Sequence, residues 1–399
     1  MRVMLRIILL VLILSGCGQL VDQSNCEVIS IEDAFEKKSK IELSEYVSAI
    51  DYIPLETKPE CMLDGAESLN IRVFVDRVYI FNGDLKFGKE TSLPLLFNSD
   101  GTFVSSIGSI GNSNNEFVNI KEMMIDSVAR QLVLVDYNRF LFYTLSGEFR
   151  RTANVVMNST THFAIFSAEG NYIYLKNPSL LDEGNWNKDF LVKVDSMGKM
   201  MKKVSLNRIL LDQPGTPMGT VKVTKGANLF KSSGNIYMYM HNDSLYKVAP
   251  SDLTFRPEFF IDFGKYATTK RAGATLWARD NPLFVTPRVV ALTVLFVYGT
   301  FPDIDKRYTR TNFVYDRKKG TTRALEYNDE YGYAGFTNDI DGGMLFYPKY
   351  MNEGKMYQLV DAIDFIEYAQ MGNSQKMKEV AATLTEDSNP VMVVATLKE

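Results

Sequence analysis

The sequence predicts an all-β chain, a six-bladed β-propeller with an N-terminal lipoprotein signal and tether and a short C-terminal helical segment. Short runs rich in aromatic and β-branched residues recur from Leu43 onward, among them residues 77–81, 131–136, 171–175, 235–240 and 312–316. Several are apolar at consecutive positions, which is the pattern of strands covered on both faces. A strand–turn–strand unit also repeats, with turns at Asp100-Gly101, Ser146-Gly147 and Asp195-Ser196-Met197-Gly198, and its glycines lie 46 and 51 residues apart. A tight hairpin demands such residues because glycine tolerates positive φ. About 320 residues divided by a period of about 40–50 gives six or seven blades, of which we favour six. A β-sandwich explains the strands but not the repeated unit.

The elements follow in order. Residues 1–16 read as a bacterial lipoprotein signal, with Arg2 and Arg6, an apolar run over 7–14, and then Leu14-Ser15-Gly16-Cys17. Only a thiol accepts the diacylglyceryl thioether, so Cys17 is the expected lipidation residue. The apolar run is shorter than the ~20 residues a membrane-spanning helix needs. The expected location is the cell envelope, anchored by lipid to the outer membrane on its periplasmic face or at the cell surface. The membrane is then one partner.

Residues 17–42 are polar and read as a tether, with a short helix starting within 30–35. Cys26 and Cys61 are the cysteines beyond Cys17. An oxidising envelope permits a bridge between them, and two separate thiols are the other reading. Residues 43–360 form the propeller. Within them, 268–280 read as an excursion of mixed helical character, and 289–298 as a long buried strand. Residues 361–399 hold two short helices broken at Gly372-Asn373-Ser374 and a final strand over 389–397.

Four stretches resemble a known group. They are Leu43-Ser44-Glu45-Tyr46-Val47 with the following Pro54-Leu55-Glu56-Thr57, residues 107–117, Asn338-Asp339-Ile340-Asp341-Gly342-Gly343 with Phe346-Tyr347-Pro348, and residues 387–393. With them the chain resembles the six-bladed β-propeller lipoproteins of Bacteroidota, relatives of TolB-like and NHL-type propellers. Residues 112–115 depart from that group's Gly- and Pro-rich loop. The group has no established catalytic residues, so the resemblance implies fold and location only.

The chemistry in the sequence is sparse. The formal charge is −4, and it becomes −6 once residues 1–16 leave with Arg2 and Arg6, so nothing favours nucleic acid as a partner. His162 and His241 stand beside aromatic runs and read as structural residues. No nucleophile elbow and no Cys/His cluster at metal spacing accompanies them, so no catalytic residue, metal or cofactor is expected. Asp339 and Asp341 read as an Asx-stabilised turn, and Asp303 and Asp305 as a solvated one. Tyr137, Asn138 and Arg139 form a polar cluster suited to ligand binding at a propeller mouth, or to closing a turn, with residues 112–117 as a second patch. The expected function is a non-catalytic binding or scaffold propeller for an envelope protein, peptide or glycan. The alternatives are a carbohydrate-active enzyme (a glycoside hydrolase or polysaccharide lyase) and a purely structural envelope protein.

Overall fold

A computed structural model describes residues 26–82, 92–155, 166–175, 189–205, 228–239, 244–266, 274–277, 284–298 and 308–398. Cys17, the signal, both histidines, and Asp303 and Asp305 lie outside them. The chain opens with β1 (Glu27–Ser30), helix α1 (Glu32–Glu36) and β2 (Val47–Pro54). Four-stranded antiparallel meanders then follow one another. Blade 1 is β3 (Leu69–Phe74), β4 (Arg77–Asn82), β5 (Leu95–Asn98) and β6 (Phe103–Ser106). Blade 2 is β7 (Ile120–Asp126), β8 (Gln131–Asp136), β9 (Arg139–Thr144) and β10 (Phe149–Asn154). Blade 3 is β11 (Phe166–Ala168), β12 (Asn171–Leu175), β13 (Asp189–Val194) and β14 (Met200–Ser205).

Blade 4 comprises β15 (Asn228–Ser232), β16 (Asn235–Tyr239), β17 (Ser244–Val248) and β18 (Phe255–Asp262), with β1 added in parallel beside β18. Blade 5 holds β19 (Ala274–Trp277), β20 (Phe284–Val285), β21 (Val289–Tyr298), β22 (Tyr308–Asp316) and β23 (Thr321–Ala324). A small hairpin, β24 (Tyr327–Asn328) with β25 (Tyr333–Ala334), precedes blade 6. Blade 6 is β26 (Tyr350–Asn352), β27 (Lys355–Val360) and β28 (Val391–Leu397), completed by β2 from the start of the chain.

The core explains why the strands are apolar at consecutive positions. Buried side chains fall into six clusters, one between each pair of neighbouring blades. On β4, Val78 and Ile80 face blade 6, whereas Tyr79 and Phe81 face blade 2. Alternate residues of one strand therefore serve two interfaces, as the period of two requires. Blade 6 closes the ring. Val47, Ile50 and Tyr52 of β2 pack with Val391, Val393 and Ala395 of β28 on the side facing blade 5, and Ile53 and Leu55 join Met392 and Val394 on the side facing blade 1.

Each blade has two dissimilar ends. In blades 1 to 4 the first and second strands, and the third and fourth, join by short turns at one end, and the connections to the next blade leave from the other. The repeated glycines occupy the outer tight turns. Gly101 has φ +89°, and a Cβ there would sit 2.2 Å from the Pro54 carbonyl oxygen of blade 6. Gly198, at φ +82°, repeats this against Asn154 O of blade 2 at the same 2.2 Å. Each turn thus abuts the end of the preceding blade's outer strand, where no side chain fits.

Three expectations need correction, and the two cysteines take one of their two readings. Residues 26–42 are not a free tether, because β1 pairs with β18, and Ser39 and Glu42 bridge to Leu325 and Thr337. Ile29, Ile31, Ala34 and Ile41 are buried there and the half-buried Phe35 stacks on Phe296, too few to show as an apolar pattern. The final strand is not appended after the propeller but is the third strand of blade 6. Helices α2 (Ala362–Met371) and α3 (Gln375–Ala381) are an insertion between its second and third strands, broken at Gly372–Ser374, where Ser374 Oγ accepts from Met377 N at 3.1 Å. Part of the expected excursion, residues 274–277, is the first strand of blade 5. Cys26 and Cys61 are not bridged: Cys26 Sγ faces Pro257 O at 3.6 Å and Cys61 Sγ faces Glu56 O at 3.2 Å, on different blades.

Candidate functional site

The loop-rich end gathers long connections from several blades, so it is where side chains distant in sequence meet. The two patches named from the sequence do come together there. Arg139, at the start of β9, donates to Asp136 Oδ2 (Nε 3.0 Å, Nη2 2.9 Å), to Ser113 O (3.0 Å) and to Glu116 O (2.7 Å). Asp136 is buried and also accepts from Val118 N and Asn119 N. Glu116 folds back on Ser113 N at 2.9 Å, and the bonds from Ser113 hold its carboxyl below the usual range. Arg139 is therefore a strap that ties the 112–117 loop of blade 1 to the turn of blade 2. Asn138 accepts from Val155 N through its backbone, at 2.7 Å. Tyr137 and Asn138 are the exposed members of the three, Tyr137 at 48% with Lys121 Nζ 5.3 Å from its ring centre.

The Asp-Ile-Asp-Gly-Gly segment is a knot of Asx bonds. Asp341 Oδ1 accepts from Tyr52 Oη (3.1 Å), Asn338 Nδ2 (2.7 Å) and Gly343 N (3.1 Å), and its Oδ2 accepts from Ser374 Oγ (2.6 Å). It binds β2, the connection into blade 6 and the helical insertion together. No group of three or more His, Cys, Asp or Glu suited to a metal occurs among the described residues.

A different cluster offers surface to a ligand. Helix α2 leaves the loop-rich end of β27 and places Asp364 one turn before Tyr368, on one helix face. Tyr331 and Tyr333, from the connection between blades 5 and 6, meet Tyr368. Ring centres lie 4.9 Å apart for Tyr331–Tyr368, 6.2 Å for Tyr331–Tyr333 and 6.4 Å for Tyr333–Tyr368. Tyr368 Oη donates to Tyr331 O at 3.0 Å, which fixes the pair. Burial, then the Asp364 and Glu367 carboxylates, pushes the Tyr368 phenol up to about 12. All three are half-buried and pack against the core between blades 5 and 6, and Tyr333 Oη donates to Leu345 O at 2.5 Å.

Asp364 and Glu367 stand beside Tyr368, and Glu330 beside Tyr331. Asp361 Oδ1 accepts from Ala66 N at 2.8 Å, bringing the connection between blades 6 and 1 alongside. Burial, then the neighbouring Asp361, Glu367 and Glu67, raises the Asp364 carboxyl. Burial lowers the Lys349 ammonium, against the pull of Glu67 and Asp361. Sequence reasoning missed this cluster because Tyr368 falls at helical spacing and passes for core. The closely spaced Tyr327, Tyr331 and Tyr333 in a Gly-containing loop were the available signal.

The raised Asp364 carboxyl has a stability consequence. The folded state holds its proton more tightly than the unfolded state, so stability falls as pH rises from the ordinary value of 3.8 through the raised one. Asp364→Asn is expected to raise the melting temperature at pH 7 and to leave it unchanged near pH 3, measured by calorimetry at both. Equal shifts at both pH values would show that charge is not the cause.

Comparison with known proteins agrees on the fold. A "Putative exported protein" of Bacteroides fragilis NCTC 9343 superposes with a TM-score of 0.64 at 15% identity, covering 93% of this chain and 100% of that one. A member of the DUF4221 family from Bacteroides vulgatus ATCC 8482 superposes with a TM-score of 0.50 at 10% identity, covering 91% and 99%. No curated protein matches. At these identities the likeness concerns architecture alone. Residues 26–396, from the start of β1 almost to the end of β28, match a single sequence family, and the chain belongs to it: the "Domain of unknown function (DUF4934)" family.

Proposed function

We propose that the protein is a lipid-anchored envelope propeller that binds a protein, peptide or glycan at its loop-rich end and does not transform it. The observation that carries this is the Tyr331–Tyr333–Tyr368 cluster with Asp364, Glu367 and Glu330 beside it. Tyrosines supply large, rigid contact area with a polar tip, and charged neighbours fix the orientation of a polar ligand. The anchor part rests on Leu14-Ser15-Gly16-Cys17, which supports lipidation of Cys17. An exported neighbour of like fold, and a chain in which no described helix is long and apolar enough to cross a membrane, fit an envelope location. Kinship to TolB-like and NHL-type propellers belongs to this proposal and is supported by the number of blades.

Titration calorimetry against oligosaccharides and peptides tests it. The wild type is expected to bind one class, and Tyr368→Ala to weaken that binding about tenfold, the scale of one contact residue. Full affinity in a folded Tyr368→Ala protein would place the site elsewhere. The carbohydrate-active alternative draws on one observation, the raised Asp364 carboxyl, since a general acid needs such a shift. Turnover lost in Asp364→Asn would decide for it.

A further inference from the structure

We propose that the tight-turn side of the propeller is a membrane-docking surface, with Val75, Val128 and Met197 as apolar tips seated in a phospholipid bilayer. This rests on the lipid anchor at Cys17 proposed above and adds the orientation of the disc on its membrane.

The three most exposed large apolar residues among those described are Val128 (71%), Met197 (66%) and Val75 (65%). Single exposed apolar residues are ordinary on protein surfaces. These three, however, all stand in tight turns, at the same end of the consecutive blades 2, 3 and 1. The repeat supplies an internal comparison. Val75 has φ +55°, the place that Glu169, Ser233 and Glu353 hold at φ +53°, +47° and +48° in blades 3, 4 and 6, each followed by a glycine. Blade 1 thus puts a β-branched apolar side chain in a strained, left-handed position where the other blades put a polar one. The core gains nothing from it. Arg130 lies 6.0 Å from the Phe74 ring centre, so the first turns of blades 1 and 2 adjoin and a cation stands beside their tips. Apolar tips with an adjacent cation suit the headgroup region of a bilayer.

The path of the chain points the same way. Strand β1 runs parallel to β18, so its N-terminal end at Glu27 points towards the end where β18 begins, the tight-turn end of blade 4. Glu27 accepts from Arg317 Nε at 3.1 Å, and Arg317 belongs to the tight turn between β22 and β23 of blade 5. Eight residues, 18–25, lie between Cys17 and Cys26. Fully extended they reach about 30 Å. With the lipid on Cys17, the tight-turn side is the nearer one to the membrane, and Tyr331, Tyr333 and Tyr368 lie at the far end.

The test uses the full lipidated chain carrying Cys26→Ser, with Val75→Cys, Val128→Cys or Met197→Cys bearing an environment-sensitive fluorophore. Ile110→Cys and Ile363→Cys serve as controls on the loop-rich end. The protein is reconstituted into vesicles of equal parts phosphatidylethanolamine and phosphatidylglycerol doped with nitroxide lipid. The nitroxide is expected to quench the three tips several-fold more than the two controls. Equal quenching, or more at the controls, overturns the orientation. So does burial of the tip labels without vesicles, which would make a second copy of the chain the occupant. The anchor is judged separately: a Cys17→Ser chain that still takes up labelled palmitate and stays with cell membranes overturns the lipoprotein reading itself.

Discussion

Deleting residues 43–57 is expected to abolish cooperative folding of the whole propeller rather than to fray one end. These residues include β2, the outer strand of blade 6, paired with β28 from Val47–Leu397 to Pro54–Val391. Val47, Ile50, Tyr52 and Leu55 are buried, and each contributes roughly 2 kcal/mol by burial. Their sum is comparable to the ~5–15 kcal/mol that holds a domain folded. The deletion also uncovers the edge of β28, a template for pairing with other chains. Denaturation in urea followed by tyrosine fluorescence and by far-UV circular dichroism checks this. Loss of a cooperative transition in both signals is the expected result, and a truncated protein melting like the wild type would contradict ring closure.

Arg139→Ala is expected to cost about 3–4 kcal/mol, as removal of one partner from a largely buried ion pair does. The side chains of Arg139 and Asp136 are 18% and 2% exposed, so the substitution strands the Asp136 carboxylate with only backbone donors. The carbonyls of Ser113 and Glu116 lose their donors as well. Hydrogen exchange should accelerate across 109–119 while blades 4 and 5 remain protected. A variant with wild-type melting and exchange would release Arg139 from its structural role and return it to the list of ligand-binding residues.

Much of this architecture is legible in the sequence, for identifiable reasons. The recurring turns announce the blades because an outer turn that abuts a neighbouring backbone leaves room only for glycine, as at Gly101 and Gly198. The double-sided strands announce stacked sheets because every blade serves two interfaces. Ring closure by residues near Ile50 and Tyr52 follows from the need to cover sheet edges. What stays hidden is carried by few residues or by long-range assembly. Ile29, Ile31, Ala34, Phe35 and Ile41 hold residues 26–42 against blades 4 to 6, below the threshold of any periodic pattern. Arg139 looks like a ligand contact in sequence because nothing local shows that the carbonyls of Ser113 and Glu116 will stand opposite it. The cluster of Tyr331, Tyr333 and Tyr368 joins a loop to an inserted helix 37 residues away, and only the fold brings them together.

The central claim, that a partner is engaged at the loop-rich end and away from the membrane, is tested most directly by photo-crosslinking in the native cell. The full chain carries p-benzoylphenylalanine at Tyr368 or, separately, at Val128. A discrete adduct of fixed mass is expected from position 368, with no such adduct from position 128. An adduct from position 128 and none from position 368 would contradict the account.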